Sequence, residues 1–154
     1  MVSMMREPVG GAALRETTGR RALVIEDAPE VLDLLREVLE SEGFAVTGSA
    51  TPVGIEEVIR HAPDLIVLDV LFGQEERGIE LLRRLRAEAA TAAIPVVLCS
   101  GATEPIRRIE GPLLEGATGL VLKPFDVDVL LEEIARVLPD SAEASRPARR
   151  AGGS

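Results

Sequence analysis

Short hydrophobic runs alternate along the chain with stretches in which hydrophobic residues recur at the 3.6-residue period of a helix. The runs are rich in branched side chains and too short for helices, which is typical of strands buried on both faces. The predicted strands are 22–25, 44–47, 65–68, 96–99 and 119–122. The predicted helices between and after them are 29–43, 52–61, 78–90 and 127–138.

This order of elements predicts an α/β fold. Consecutive β/α units form a parallel sheet, because each crossover connection is right-handed and its helix covers a face of the sheet. We therefore expect residues 21–138 to form one domain, a doubly wound parallel sheet with helices on both faces. In sheets of this kind, ligands bind beyond the carboxyl ends of the strands.

The segment between the fourth and fifth strands departs from the helical pattern. A helix is expected over 104–117, but Gly111 and Pro112 stand in its middle. A proline inside a helix removes a hydrogen bond and costs about 3 kcal/mol, so a short or broken helix is predicted. Residues 1–20 lack a sustained period and residues 139–154 are small and polar, so both are predicted to be flexible tails.

The composition narrows the class of function. The 154 residues carry a formal charge of −9, so neither nucleic acid nor a membrane surface is an expected partner. With one cysteine, Cys99, and one histidine, His61, the chain has no means to form an internal disulfide or a Cys/His zinc site. The first residues lack the long apolar segment of a secretion signal or membrane anchor, and we expect a cytoplasmic protein.

Four of the five predicted strands end in polar side chains. The first is followed by Glu26 and Asp27, the third by Asp69, the fourth by Ser100 and the fifth by Lys123. All should meet at one edge of the sheet. Clustered carboxylates repel one another, and an all-oxygen cluster suits Mg²⁺ or Mn²⁺. Asp69, in the middle, is the candidate nucleophile for forming an acyl phosphate.

Lys123 is the only lysine among 17 basic residues. In a chain that otherwise uses arginine, a position that needed only positive charge would have been an arginine too. Lys123 is therefore predicted to use its compact ammonium group, which can contact both a free carboxylate and a phosphoryl group. Ser100 would add a neutral hydroxyl donor beside it.

Four motifs, in this order, resemble the receiver domain of the bacterial two-component response-regulator family, with the layout of the stand-alone chemotaxis regulator. They are VIED at 24–27, LIVLD at 65–69, VLCSG at 97–101 and GATGLVLKPF at 116–125. The resemblance covers residues 21–138. It implies a flavodoxin-like sheet of five parallel strands in the order 2-1-3-4-5.

The resemblance implies a phosphoryl-accepting site. Asp69 would accept a phosphoryl group from a sensor histidine kinase or a histidine phosphotransfer protein. Ser100 and Lys123 would bind the phosphoryl oxygens, with a cis peptide bond between Lys123 and Pro124. The implied protein is a single-domain response regulator, not an enzyme, which signals through an unknown downstream protein.

A metal site is implied in the same way. Asp27, Asp69 and the backbone carbonyl of Leu71 would hold Mg²⁺, or Mn²⁺ in its place. Glu26 would act through a water molecule bound to the metal. These four residues complete the set that the resemblance assigns to the acidic edge.

Several positions depart from the family's pattern. Leu120 stands where the family usually has an aromatic residue that moves inward together with the hydroxyl residue, so switching through Ser100 and Leu120 is expected to be weak. Leu71 and Ala102 replace polar residues that guide the hydrolytic water, which predicts a long-lived acyl phosphate. The loop 71–77 is expected to be acidic and flexible.

Two other functions fit parts of the pattern. A receiver-like interaction scaffold that needs no phosphorylation is favoured by Leu120 and by the broken helix, but the complete set of site residues opposes it. A Mg²⁺-dependent phosphohydrolase with an aspartyl nucleophile would need a second aspartate two residues later, where this chain has Leu71. Binding of a phosphoryl mimic discriminates the receiver from the scaffold.

The remaining notable side chains have structural interpretations. His61 is expected near the end of a helix, where it is placed favourably against the helix dipole. Cys99 lies within a buried strand and is expected to be a core residue. Arg83, Arg84 and Arg86 are expected to form a solvated helix face.

Overall fold

The computed structural model describes residues 19–101, 104–109 and 111–139, so Ala102 and most of the two predicted tails lie outside it. In this part of the chain, strands and helices alternate as predicted. The strands are β1 (Arg21–Ile25), β2 (Ala45–Ser49), β3 (Leu65–Asp69), β4 (Val96–Ser100) and β5 (Thr118–Leu122). The helices are α1 (Pro29–Ser41), α2 (Ile55–His61), α3 (Arg77–Ala87), α4 (Glu104–Arg107) and α5 (Val127–Val137), with a 3-10 turn at Gly111–Leu114. None of the helices described is long and apolar enough to cross a membrane.

The strands form one parallel sheet in the order β2-β1-β3-β4-β5, which confirms the predicted topology. In the register, Ile25 pairs with Leu68 and Asp69 pairs with Cys99. The carboxyl ends of β1, β3, β4 and β5 therefore lie along one edge, where the predicted site residues follow.

Each face of the sheet packs against its own hydrophobic core. Val24 belongs to the core that α1 and α5 cover, and its neighbour Leu23 belongs to the core that α2 and α3 cover. This is the alternation of side chains expected along a strand. The first core includes Leu35, Leu39, Leu130 and Ile134, and the second includes Val58, Ile79, Leu82 and Leu85. Helices on both faces explain why the central strands are continuous hydrophobic runs.

The ends of several elements differ from the sequence prediction. The second helix begins at Ile55 instead of residue 52, because Gly54 is still extended. The third helix ends at Ala87 instead of residue 90. Just beyond it, the buried hydroxyl of Thr91 donates to the carbonyl oxygen of Leu85 at 2.8 Å, which satisfies one of the acceptors that a helix end leaves without a partner.

The predicted break of the fourth helix is confirmed. α4 ends at Arg107, and Gly111–Leu114 forms a 3-10 turn. Pro112 lies in this turn, and its missing N–H and its ring oppose a continuous helix. The short elements leave part of the β5 surface uncovered, and Leu122 at the end of the strand is 47% exposed.

Two charged side chains of α5 close the β5 edge of the sheet. Arg136 Nη2 donates to the carbonyl oxygen of Thr118 at 3.0 Å, and Glu133 Oε2 accepts the N–H of Leu120 at 3.0 Å. Gly119 makes room for them, since a Cβ there would lie 2.8 Å from Glu133 Cγ. These contacts occupy backbone groups that an open edge would offer to another strand.

The predicted solvated helix face is confirmed for Arg83 and Arg84, which are exposed, but the prediction was wrong for Arg86. Its Nη1 donates to the carbonyl oxygens of Ala92 and Ile94 at 3.0 and 2.8 Å, and its Nη2 donates to Thr118 Oγ1 at 2.8 Å. The guanidinium thus ties the end of α3 to the start of β5. The helical period does not reveal these contacts, because the partners of Arg86 come from the chain that follows the helix.

Candidate functional site

The predicted site residues come together at the carboxyl ends of the strands. Glu26 follows β1, Asp69 ends β3, Ser100 ends β4 and Lys123 follows β5. Glu26, Asp69 and Ser100 are 1%, 5% and 1% exposed, whereas Asp27 is exposed to solvent. Because ionisable groups are costly to bury without partners, the contacts among them decide what the site can do.

Lys123 lies between two buried carboxylates. Its Nζ donates to Oε2 of Glu26 at 3.1 Å and lies 3.5 Å from Oδ1 of Asp69. Nζ is also 3.0 Å from Oε1 of Glu26, although that oxygen accepts no well-oriented hydrogen bond from a described residue. Burial alone would lower the pKa of Lys123, but its hydrogen bond to Glu26 and the charges of Glu26 and Asp69 raise the pKa above its usual value. The side chain is therefore an ammonium cation.

The pKa of Asp69 is unusually high. Burial, followed by the negative charge of Glu26, raises it from 3.8 to about 7, although Lys123 acts in the opposite direction. The N–H of Leu71 donates to Oδ1 of Asp69 at 3.4 Å and also favours the charged form. One ammonium group therefore does not fully compensate the two buried carboxylates.

Three carboxylates at this edge could hold a divalent cation. One oxygen from each of Glu26, Asp27 and Asp69 lies within 4.8 Å of the others. An all-oxygen donor set suits a hard cation such as Mg²⁺. The buried Glu26 Oε1, which accepts no hydrogen bond from the part of the chain that the structure describes, fits this interpretation. The carbonyl of Leu71 stays a predicted ligand.

The loop after β3, which the sequence predicts to be acidic and flexible, contains a hydrogen-bonded turn. Phe72 and Glu75 exchange backbone hydrogen bonds of 2.9 and 3.1 Å around a tight turn. Gly73 adopts φ +65° in this turn, a conformation that glycine tolerates best. The N–H of Gly73 donates to Oδ2 of Asp27 at 3.0 Å, so the turn contacts the acidic site directly.

Gly78 is a site-supporting residue that the sequence argument missed. It lets α3 pack on the backbone of Asp69, because a Cβ at this position would lie 1.9 Å from the Asp69 carbonyl oxygen. Its N–H donates to the carbonyl oxygen of Val70 at 3.0 Å. The sequence carries little signal of this role, because Gly78 stands at the start of the predicted helix, where glycine is well tolerated.

The two residues of the predicted switch lie on neighbouring strands. Ser100 pairs with Leu122 in the register of β4 and β5, and Leu120 pairs with Leu98. Ser100 is buried, and Leu120 packs in part against the core that α3 covers. The backbone N–H of Lys123 donates to the carbonyl oxygen of Ser100 at 2.7 Å. Their coupling to phosphorylation stays a prediction.

Cys99 and His61 occupy the structural positions expected for them. Cys99 is fully buried, and burial raises the pKa of its thiol to about 12. His61 is the last residue of α2, with its Nε2 3.8 Å from Glu57 Oε2 one turn earlier. The peptide bond between Lys123 and Pro124 is cis, as expected.

The chain belongs to the response regulator receiver domain family, whose model matches residues 22–135. Receiver domains are signalling domains of two-component systems and not classical enzymes. The match confirms the family resemblance seen in the four motifs and covers the strands that form the site.

Relatives and solved structures agree with this assignment. The chain is 34% identical over 119 residues to the phosphate regulon transcriptional regulatory protein PhoB of Rhizobium meliloti, covering 75% of this chain and 50% of that protein. It is 35% identical over 129 residues to the transcriptional regulatory protein CseB of Streptomyces avermitilis, covering 83% and 53%. The chain thus spans about half the length of these curated relatives. The chemotaxis protein CheY4 of Vibrio cholerae has a similar structure, with a TM-score of 0.66, 25% identity and coverage of 77% of this chain and 98% of that one.

Proposed function

We propose that residues 21–138 accept a phosphoryl group on Asp69 from a sensor histidine kinase or a histidine phosphotransfer protein. A carboxylate oxygen of Asp69 would attack the phosphorus of a phosphohistidine. The new P–O bond would form as the P–N bond breaks, with imidazole as the leaving group. The product would be an acyl phosphate on Asp69, and the domain would signal by contacting a downstream protein.

The observation that carries this proposal is the position of Lys123. Its Nζ lies 3.5 Å from Asp69 Oδ1 and 3.0 Å from Glu26 Oε1. From this position it could contact either the free carboxylate of Asp69 or a phosphoryl group attached to it. We assign Lys123 and the hydroxyl of Ser100 to the phosphoryl oxygens. A compact ammonium suits such a dual contact better than a planar guanidinium.

The acidic cluster would hold Mg²⁺, or Mn²⁺, through Asp27, Asp69 and the carbonyl of Leu71, with Glu26 acting through a metal-bound water. When bound, such a cation neutralises charge that would otherwise repel a phosphoryl donor. The oxygen donors and their mutual distances within 4.8 Å support this assignment.

The partners follow from the same assignment. The relatives are named as transcriptional regulators, one of them a DNA-binding response regulator of Mycolicibacterium smegmatis, but the chain matches only about half of their length. For the receiver domain itself we propose a protein partner, in the cytoplasm, and neither nucleic acid nor membrane, since the chain carries a charge of −9.

Intact-mass analysis after incubation with acetyl phosphate and Mg²⁺ tests the proposal. The wild type should gain one phosphoryl group and Asp69→Ala should gain none, while Asp33→Ala, which removes an exposed carboxylate of α1, should label as the wild type does. A chelator should abolish labelling. Undiminished labelling of Asp69→Ala would rule out Asp69 as the acceptor.

A scaffold that needs no phosphorylation is the second candidate. The short α4, the 3-10 turn and the absence of an aromatic side chain at Leu120 favour it. Beryllofluoride, a phosphoryl mimic, separates the two candidates. A receiver should bind the mimic in the presence of Mg²⁺, whereas a scaffold is expected not to bind it.

A further inference from the structure

The loop between β3 and α3 is closed by backbone hydrogen bonds, one of which joins its two ends. Val70 at its start accepts the N–H of Gly78 at its end, at 3.0 Å. Within it, Phe72 and Glu75 exchange two backbone hydrogen bonds. Because Gly78 also packs directly on the Asp69 backbone, a displacement of one end of the loop shifts the other.

One contact of this loop reaches a predicted metal ligand. The N–H of Gly73 donates to Oδ2 of Asp27 at 3.0 Å and leaves Oδ1 available to a cation. Hydrogen bonds of this kind orient a ligating carboxylate, and their loss typically costs roughly 10- to 100-fold in metal affinity. The position of the Gly73 amide therefore matters to any cation bound at Asp27.

A second contact of the loop reaches the segment after β4. Oε2 of Glu76 forms an ion pair with Nη2 of Arg108, the residue that follows α4. The two side chains are 38% and 56% exposed, so the pair is a surface interaction of modest strength. Arg107, one residue earlier, has the same charge but forms no ion pair with the rest of the described chain.

We propose that Arg108 is a positioning residue for Asp27, acting through Glu76 and the Gly73 amide, and that cation binding is thereby coupled to residues 104–109. The inference rests on the proposed function, because it places a divalent cation at the acidic site. It supplies a route from the site to the α4 side of the domain.

This route differs from the one through Ser100 and Leu120. It uses a backbone amide, a short closed loop and one ion pair, and it needs no aromatic side chain on β5. A chain with leucine at position 120 could therefore still transmit the state of its acidic site.

Calorimetric titration of Mg²⁺ alone into the full-length protein at low ionic strength tests the proposal. Arg108→Gln should weaken Mg²⁺ binding about two- to fivefold, which corresponds to the strength of an exposed ion pair. Arg108→Lys keeps the cation and should bind nearly as the wild type does. Arg107→Gln removes the same charge one residue away and should leave Mg²⁺ affinity unchanged.

Two further readouts separate positioning from a general structural effect. Raising the salt to about 0.5 M should shrink the difference between wild type and Arg108→Gln, because salt screens an exposed pair. By thermodynamic reciprocity, Mg²⁺ should slow hydrogen exchange at residues 104–109 only modestly in the wild type, by no more than about the same two- to fivefold, and not in Arg108→Gln.

Equal Mg²⁺ affinities of wild type and Arg108→Gln would overturn the proposal and leave the proposed function intact. Equal weakening by Arg107→Gln would show an effect of net charge and would overturn it as well. A wild type that binds no Mg²⁺ would overturn the metal site of the proposed function, and the coupling with it.

Discussion

The acidic site and the segment 104–114 both follow parallel strands, but the fold holds them differently. Asp69 and Ser100 end strands in which all five residues are buried. The described residues of the segment 104–114 include a four-residue helix and a four-residue 3-10 turn beside the edge strand β5. Asp69 and Ser100 are therefore fixed by the centre of the sheet, whereas the segment 104–114 is not.

This difference follows from position in the sheet. β1, β3 and β4 have hydrogen-bonded neighbours on both sides, so the side chains at their ends have little freedom. β5 has one neighbouring strand, and its outer edge is held by Glu133 and Arg136 of α5. The chemistry of a receiver can thus be retained while the surface next to β5 diverges.

Lys123→Arg should have the largest effect on the response to phosphorylation. It conserves the charge but moves it within the site. An ammonium and a phosphoryl charge about 4 Å apart interact by roughly 4 kcal/mol at an effective dielectric of 20. The bulkier guanidinium would displace that charge, so the variant should fold but lose most of the spectral change that beryllofluoride and Mg²⁺ induce. NMR spectra with and without the mimic measure this. A response equal to that of the wild type would contradict the role given to Lys123.

Arg86→Ala should destabilise the protein by about 1–3 kcal/mol, because partly buried carbonyl groups would lose a charged donor. Arg86 anchors the start of β5 through Thr118, so the loss would show how far the edge strand depends on that anchor. Denaturant unfolding measures the effect. Arg84→Ala, on the exposed side of α3, should change the free energy of unfolding by less than about 0.5 kcal/mol. Similar losses in both variants would contradict the anchor role.

Sequence patterns predicted the centre of the molecule well. The buried strands are continuous hydrophobic runs, and polar residues such as Asp69 and Ser100 interrupt them where the strands end. The period of the hydrophobic residues, their strand propensity and the right-handedness of crossover connections together leave few alternative topologies for such a sheet. Pro112 likewise marked the break of the fourth helix, because its effect on a helix is local.

Contacts between distant segments could not be predicted in the same way. Arg86 binds carbonyl groups that come near only after the chain has folded back. The turn at Gly73 and its contact with Asp27 depend on one backbone torsion angle and on the packing of Gly78. A glycine in the sequence can indicate a turn or a close contact, but it does not identify the residue that is contacted.

The metal-free protein should lose stability as pH rises from about 4 to about 7. Folded Asp69 has a pKa of about 7, against 3.8 for an ordinary aspartate, so in this range the folded state binds more protons than the unfolded state. Stability then falls with rising pH. Asp69→Asn cannot ionise and should be more stable than the wild type by at least a few degrees in Tm at pH 8, but not near pH 4.

Thermal unfolding in the presence of a chelator measures this difference, and added Mg²⁺ should reduce it by stabilising the wild type. The comparison with Asp69→Asn isolates one group from the other carboxylates that titrate in the same range. A difference independent of pH would mean that burial of Asp69 does not raise its pKa.

The smallest effect is expected at the α4 side of the domain when the phosphoryl mimic binds. Moving a two-state element from 1:99 to 99:1 needs about 5.5 kcal/mol of differential binding, and the repacking of Leu120 offers no hydrogen bond and no ring to bury. With beryllofluoride and Mg²⁺, hydrogen exchange should slow mainly in the loops around Asp69, Ser100 and Lys123. It should change only modestly across residues 104–122.

The variant Leu120→Tyr sharpens this last comparison, because it restores an aromatic side chain on β5 without touching the acidic site. If the weak response of the α4 side is due to Leu120, the tyrosine should enlarge the exchange change at 104–122 and leave the change around Asp69 as it is. A large change in the wild type itself would show that this receiver switches without an aromatic residue. The contacts of the β3–α3 loop with Asp27 and Arg108 would then be the next to disrupt, since they join the two regions without involving β5.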